Sequence, residues 1–345
     1  MGRSGTVNLT VRIKEIADTY RESGLNVSET ARRLGVTRAT VQNYLHDAHQ
    51  HSYLKDEEMH PANVPNAQEY RAARDRKIAA YQAKKRKGDW RKPVMTTLTS
   101  EPYRLKVFGD PHLDNDGCDF ELFEKHWLEM SVSNRIYGVC IGDWFDNWTK
   151  VLSHLYQEHS TPPDDAWLCL EHLMDQRGEA LIAACSGNHD DWSKGPGVDP
   201  VDLLMKRHGV LYRKGAIRVA VNHEGCEPMF WALRHKWRGR SMYSAAHWAA
   251  SHQNVMWRDD LMVGGHTHQD DYRIVEGLDG TRCTAVQVSA FKDIDSFADV
   301  HGFSGQKISP VWDLVIDPRR SRKDPERIKV FWESAAAQSY MDAIS

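Results

Sequence analysis

Past residue 100, five short strings place nitrogen and oxygen ligands in quick succession. They are Asp110-Pro111-His112, Gly142-Asp143-Trp144-Phe145-Asp146, Gly187-Asn188-His189-Asp190, a single His235, and Gly265-His266-Thr267-His268. Carboxylates, imidazoles and one amide in this number are enough to hold two divalent cations, and one histidine and one aspartate are left over for proton transfer. That inventory points to hydrolysis of a phosphate ester, where paired cations clamp the phosphoryl oxygens.

Ligands of this kind need rigid strands behind them. Apolar runs at 104–108, 135–141 and 179–185 precede the first three strings. In α/β folds, functional groups gather where strands end. Helices are expected at 119–132, 164–177 and 200–208. Strand-like segments follow at 216–222 with 228–234, then 260–264, 272–276 and 282–289. The alternation predicts a mixed sheet sandwich flanked by helices. His235 ends the strand at 229–234. His247 and His252 compete for its role, but lie in a stretch, 244–252, that reads as helical. Trp148, Trp192 and Trp237 follow motif residues on loops and are candidates for stacking a base or lining a cleft, whereas Phe145 and Trp231 read as core. Arg238 and Arg240 follow His235 closely enough to be candidate phosphate contacts.

The front of the chain has another texture. Val11, Ile13, Ile16, Ala17 and Tyr20 repeat near helical spacing up to Gly24. Beyond them Ala31, Gly35 and Val41 fall at the spacing of a helix-turn-helix, a small residue at the crossing and a glycine in the turn. Leu34, Val36, Val41 and Leu45 would supply its core, and Thr37 would cap the second helix. A second helix of this kind enters the DNA major groove. Arg38, Gln42 and Asn43 would then face base edges, and Arg32 and Arg33 the backbone phosphates. Residues 48–65 read as a linker and 66–92 as a long polar helix. Ten Lys or Arg against two Asp lie between 71 and 92, densest at 84–87. That helix is either a solvated connector or a salt-sensitive phosphate contact. The expected division is 1–50 as the helix-turn-helix domain, 51–100 as linker with basic helix, and 101–335 as the phosphoesterase domain.

Of the chain's 345 residues, 41% are apolar and 27% charged, which suits a globular protein. Apolar runs fall short of the ~20 residues that span a bilayer, and MGRSGTVNLT lacks the apolar centre of a secretion signal. The six cysteines include no CxxC pair, against a disulfide framework or a cysteine zinc site. A cytoplasmic protein with no membrane partner is expected. The net charge of −3 hides an asymmetry: residues 1–100 hold 18 Lys+Arg against 11 Asp+Glu, and the rest hold 27 against 37. A basic arm on an acidic body suggests two tasks.

In order and composition, the five strings resemble the calcineurin-like metallophosphoesterase superfamily: DxH, GDxxD, GNH[DE], H, GHxH. The resemblance covers roughly residues 104–290. It implies an α/β metallophosphoesterase-type two-sheet β-sandwich flanked by helices, preceded here by a small all-α helix-turn-helix domain. It also implies two divalent metal ions, Mn2+ first, with Fe, Zn or Co as alternatives. Asp110, His112 and His268 would hold one ion, Asn188, His235 and His266 the other, and Asp143 would bridge them. A hydroxide between the ions would attack phosphorus, while His189, oriented by Asp146, protonates the leaving group. The motifs look equally like double-strand-break repair nucleases and UDP-diacylglucosamine hydrolases of that superfamily. The helix-turn-helix tilts the expectation to DNA as partner and substrate, in a fusion resembling bacteriophage proteins. A phosphatase or nucleotide pyrophosphohydrolase with a non-catalytic front module is the rival, and homo-oligomerisation through the N-terminal helices is a further expectation.

Overall fold

Ile13, Ile16, Ala17 and Tyr20 fall on one face of a helix, and in the computed structural model that face is buried. The structure describes residues 4–59, 67–87, 91–148, 150–192, 198–239, 241, 244–250, 259–292 and 309–345. The chain divides into two compact units, Met1–Gly88 and Asp89–Ser345.

In the first unit, α1 (Ser4–Glu22), α2 (Val27–Leu34) and α3 (Arg38–Gln50) enclose a core of Ile13, Ile16, Ala17, Tyr20, Ala31, Val41, Leu45, Ala48 and Leu54. Asn26 caps α2 by accepting from Ser28 N and Glu29 N, and Thr37 caps α3 by accepting from Thr40 N at 3.1 Å. Gly35 ends α2 at φ 64° and donates its N–H back to that helix, a left-handed conformation that costs other residues about 1–2 kcal/mol. Leu54 and a short helix α4 (Asp56–Met59) extend this unit into the stretch expected to be linker. Helix α5 (Ala67–Lys87) follows. Its residues 70–83 are exposed, and the side chains of the 84–87 cluster lie outside the described residues.

The second unit holds two mixed sheets among the described residues. One runs β12-β11-β2-β3-β4-β5, with β2 (Tyr103–Phe108), β3 (Ile136–Cys140), β4 (Leu181–Cys185) and β5 (Leu211–Arg213) parallel, and β11 (Val311–Ile316) and β12 (Ile328–Phe331) antiparallel at its edge. The other runs β1-β6-β7-β8-β10-β9, from β1 (Val94–Leu98), β6 (Ala216–His223), β7 (Met229–Arg234), β8 (Leu261–Gly264), β9 (Asp271–Glu276) and β10 (Arg282–Gln287). Leu105, Val107, Val139 and Ile141 from the first sheet pack with Val219, Trp231, Leu233, Val263 and Val286 from the second. The opposite face of the first sheet, Phe108, Cys140 and Ala184, packs under α6 (Phe120–Leu128), α7 (Pro163–Arg177) and α8 (Pro200–Arg207) through Phe123, Trp127, Leu170, Met174 and Met205. This is an α/β two-sheet sandwich flanked by helices. A C-terminal helix α9 (Ser334–Ile344) covers Val315 with Ala337 and Met341. Strand β1 lies within the stretch expected as linker, and α9 runs past the expected boundary at 335.

Alternation along β2 also buries two charges. Lys106 is fully buried, with its Nζ 2.7 Å from Glu129 Oε2 and 2.9 Å from Asp313 Oδ2, and it donates to Ser334 Oγ. Arg104 reaches Asp313 Oδ1 at 2.8 Å. Charges this deep persist only when paired and hydrogen-bonded.

Candidate metal centre

Asp110 and His112 follow β2, Asp143 follows β3, Asn188 and His189 follow β4, His235 ends β7, and His266 and His268 follow β8. Parallel pairing of β2, β3 and β4 brings the first three loops to one edge. The backbone there is unusual. Asp110, His112, Asp143, His266 and His268 have φ of 49°, 49°, 54°, 71° and 54°. Left-handed conformations in such residues cost of order 1–3 kcal/mol each and persist only where neighbours fix them. Here Asp110 N donates to Gly142 O, His112 N to Asp143 O, and His266 N to Asp110 Oδ2. Gly187 permits the closest approach: a Cβ there would run into the Asp143 carboxylate.

The structure brings the expected ligands together in two groups. Ligand atoms of Asp110, His112 and His268 lie within 4.8 Å of one another, as do those of Asp143, His235 and His266. His112 Nε2 and His268 Nε2 approach to 3.3 Å. His235 Nε2 lies 3.1 Å from Asp143 Oδ2, from Asn188 Oδ1 and from His266 Nδ1. Its other nitrogen, Nδ1, donates to the Ile141 carbonyl at 3.0 Å, which fixes the tautomer and aims Nε2 at the group. Asp110 Oδ1 is buried without a hydrogen-bond partner, an expensive state unless a cation meets it. The N/O donor set therefore fits two divalent ions of borderline character. His247 joins no ligand group among the described residues, and His252 and Arg240 lie outside them.

Electrostatics follow the crowding. Burial would lower the His112 pKa, but Asp146, with Asp143 and Asp110, lifts it to about 9. Burial also opposes protonation of His235, and Asp143 and Asp110 again lift it to about 9. Burial pushes Asp110 up to about 6, despite His235. Asp143 and Asp146 move the other way: burial raises them, yet the histidines beside them hold both well below the usual carboxylate range.

Asp146 holds two histidines, His189 as expected and His112 in addition. The Asp146 carboxylate approaches His112 Nδ1 at 2.7 Å, whereas His189 Nδ1 donates to the Asp146 backbone carbonyl, also at 2.7 Å. Asp146 thus orients His189 through its main chain, and its charge serves a metal ligand. The sequence reading also missed Asp190. Its fully buried carboxylate accepts from Asp143 N and Gly187 N at 2.8 Å and from Trp144 N at 2.9 Å, stitching two ligand loops together. A carboxylate directly after Gly187-Asn188-His189 was the available signal.

Other expected contacts divide. Trp237 is 7% exposed, stacks on Trp248 at an interplanar angle of 8° and donates to Val263 O, so it is core rather than a base platform. His126, Glu129 and Asp313 also converge, but the Lys106 ammonium occupies their centre. In the first unit, Arg38, Gln42 and Asn43 are exposed along α3. Arg32 and Arg33 are both held by Glu29, at 2.8 and 3.0 Å.

A comparison with family models and with curated proteins finds no match. Among solved structures, the chain is similar to a single mutant of Vps29 from Entamoeba histolytica, at 10% identity and TM-score 0.33, over 66% of this chain and 97% of that one. It is similar to the nuclease MPE of Pseudomonas putida, at 11% and 0.31, over 66% and 87%. A metallophosphoesterase from Sphaerobacter thermophilus gives 15% and 0.31, over 70% and 93%. Among the described residues no helix is long and apolar enough to cross a membrane.

Proposed function

We propose that this protein is a two-metal phosphoesterase acting on DNA phosphodiesters. The observation that carries the reading is the convergence of Asp110, His112 and His268 beside Asp143, Asn188, His235 and His266, with Asp110 Oδ1 buried and without a hydrogen-bond partner. Two divalent ions, with Mn2+ the first to try, would supply Lewis-acid stabilisation of the phosphoryl oxygens and an activated water. The chain's own residues do the rest. Asp190 and Gly187 set the loops, Asp146 holds His112, and Ile141 holds His235. His189, anchored through Nδ1, presents Nε2 as the group that hands a proton to the leaving oxygen.

DNA as substrate rests on the N-terminal unit. A capped helix-turn-helix with Arg38, Gln42 and Asn43 exposed along its second helix suits major-groove reading. The rival reading is a phosphatase or nucleotide pyrophosphohydrolase whose N-terminal module only localises or dimerises it. The acidic balance of residues 101–345, 27 Lys+Arg against 37 Asp+Glu, favours that rival, because a groove for polyanions is commonly basic.

The test is hydrolysis of p-nitrophenyl phosphate and its bis ester with Mn2+, Zn2+, Co2+ or Fe2+, beside gel assays on single- and double-stranded DNA. Metal-dependent cleavage of the diester and of DNA, lost in Asp143→Ala, supports the proposal. Cleavage of the monoester alone turns the assignment to the rival.

A further inference from the structure

Three rings pack on His189: His112 from the first ligand group at 5.2 Å, and two indoles that belong to neither group. The Trp192 ring centroid lies 4.3 Å from that of His189, and Trp148 meets the same imidazole edge-on at 5.1 Å. The two indoles are 6.2 Å apart and inclined by only 37°. Lys292 places its ammonium 5.6 Å from the Trp148 ring centroid and 3.6 Å from Asp146 Oδ2, so that indole is backed by a cation. Trp127, Trp144, Trp231 and Trp312 are fully buried packing residues. Trp192 differs: it is 37% exposed although its ring lies against His189.

Position gives that exposure a use. His189 Nδ1 is engaged by the Asp146 carbonyl, so Nε2 is the nitrogen that meets the leaving oxygen. The ring nearest His189 is that of Trp192, so an indole stands beside the imidazole that would meet whatever is bonded to that oxygen. A half-open indole with a second indole beside it is a stacking surface that any nucleobase face can meet. A wall that only kept water from His189 would gain nothing from leaving the indole open.

We infer that Trp192, supported by Trp148, is a stacking platform for the nucleobase on the leaving side of the scissile phosphate. The inference rests on the phosphodiesterase reading and narrows its substrate class. A base inside a duplex has its faces covered by neighbours, so the platform selects an unpaired or frayed nucleotide at the cut.

The experiment compares the dinucleotide d(TpT) with the methyl ester of thymidine monophosphate, scoring for the latter only release of methanol, the cut that leaves no base on the departing side. Both are too short to engage a helix-turn-helix. The wild-type protein is expected to favour the dinucleotide by about 5- to 150-fold in kcat/KM, the range of one base–aromatic stack. Trp192→Ala should bring that ratio towards one, mainly through KM, and Trp192→Phe should restore part of it. A ratio unchanged in Trp192→Ala overturns the inference, whether the two esters slow together or not at all. If the wild-type protein cleaves neither ester, the bis ester and DNA assays decide the phosphodiesterase reading separately. Calorimetric binding of d(TpT) then decides the platform: binding weakened in Trp192→Ala supports it, and equal or absent binding overturns it.

Discussion

Oδ1 of Asp146 lies 2.7 Å from Nδ1 of His112. The contact fixes the imidazole with Nε2 directed at His268, and it raises the basicity of that nitrogen as a ligand. The sequence predicts that Asp146 orients the proton donor His189, without specifying which of its groups does so. Here its carboxylate steers a metal ligand, while His189 is steered by the main chain of the same residue.

Asp146→Asn keeps the shape and removes the charge. Loss of such a partner weakens metal binding by about 10- to 100-fold. Calorimetric titration with Mn2+ should therefore show one of two binding events shifted by that factor and the other nearly unchanged. Two unaltered events would mean that the Asp146–His112 contact does not support the first ion.

The two contacts of Asp146 show what the sequence makes legible. Candidate ligands that follow strands fall in short strings, so Asp110, His112, Asp143, His266 and His268 were legible from the ordered strings together, whereas the lone His235 had His247 and His252 as rivals. Which carboxylate oxygen meets which ring depends on loop dihedrals that no spacing records. Trp237 shows the same limit, because its partners Val263 and Trp248 are distant in sequence and turn a loop aromatic into core. Strand β1 was hidden because Val94–Leu98 is an edge strand whose burial alternates only weakly, next to a basic run that reads as linker. The strands β11 and β12 carry no ligand, and nothing in their local composition announces Asp313 as the partner of Arg104 and Lys106.

Asp190→Ala should unfold the site as well as disable it. The carboxylate accepts three buried backbone N–H groups, and each buried donor left unsatisfied costs about 1–3 kcal/mol. A loss of roughly 3 kcal/mol or more is expected, read as a lower urea midpoint at constant m-value. Asp190→Asn, which keeps an acceptor oxygen, should fall between the two. A midpoint within experimental scatter of wild type would refute the stitching role.

Metal uptake should be steeply dependent on pH. His112 and His235 hold protons up to about pH 9 because Asp146 and Asp143 face them, and a ligating imidazole must give its proton up. At limiting Mn2+, occupancy should rise from pH 6 to pH 9 with proton release. Under a chelator the sign reverses. Both histidines are more basic folded than unfolded, so their stabilisation is complete below about 6.5 and lost as pH rises through 9. Calorimetry in two buffers of different ionisation enthalpy measures the first effect, and thermal melts in chelator measure the second. Uptake independent of pH would contradict the assigned ligands.

The buried cluster of Arg104, Lys106 and Asp313 predicts a stability effect away from the metals. Asp313→Ala removes a carboxylate paired with two buried cations at 2.8 and 2.9 Å and leaves them only the Glu129 carboxylate, at 3.5 and 2.7 Å, a change worth up to about 3–5 kcal/mol. Burial raises the Asp313 pKa, but Lys106 and Arg104 outweigh it and hold the carboxyl below its usual range. Its stabilisation is therefore present above the unfolded pKa near 3.8 and lost as acid drives pH through the lower folded value. Urea midpoints at neutral pH and in acid should show the variant's deficit shrinking in acid. A deficit of the same size at both would argue against the ion pairs as its source.

The N-terminal unit yields a prediction that separates reading from holding. Arg38, Gln42 and Asn43 lie exposed along α3, whereas Glu29 engages both Arg32 and Arg33. If α3 reads base edges, DNA selected from a random duplex pool should lose about 5- to 150-fold in affinity with Arg38→Ala or Asn43→Ala, the range of one bidentate base contact. Arg33→Ala should change little, because its guanidinium is already occupied. Glu29→Gln should do the opposite of a loss. It frees two guanidinium groups, raises affinity for any duplex and steepens the salt dependence by about one unit for each new phosphate contact. Fluorescence anisotropy across a salt series reads all four variants. Weaker binding in Glu29→Gln, or undiminished selectivity in both Arg38→Ala and Asn43→Ala, would remove α3 as the reading element and leave the unit as a docking or dimerisation module.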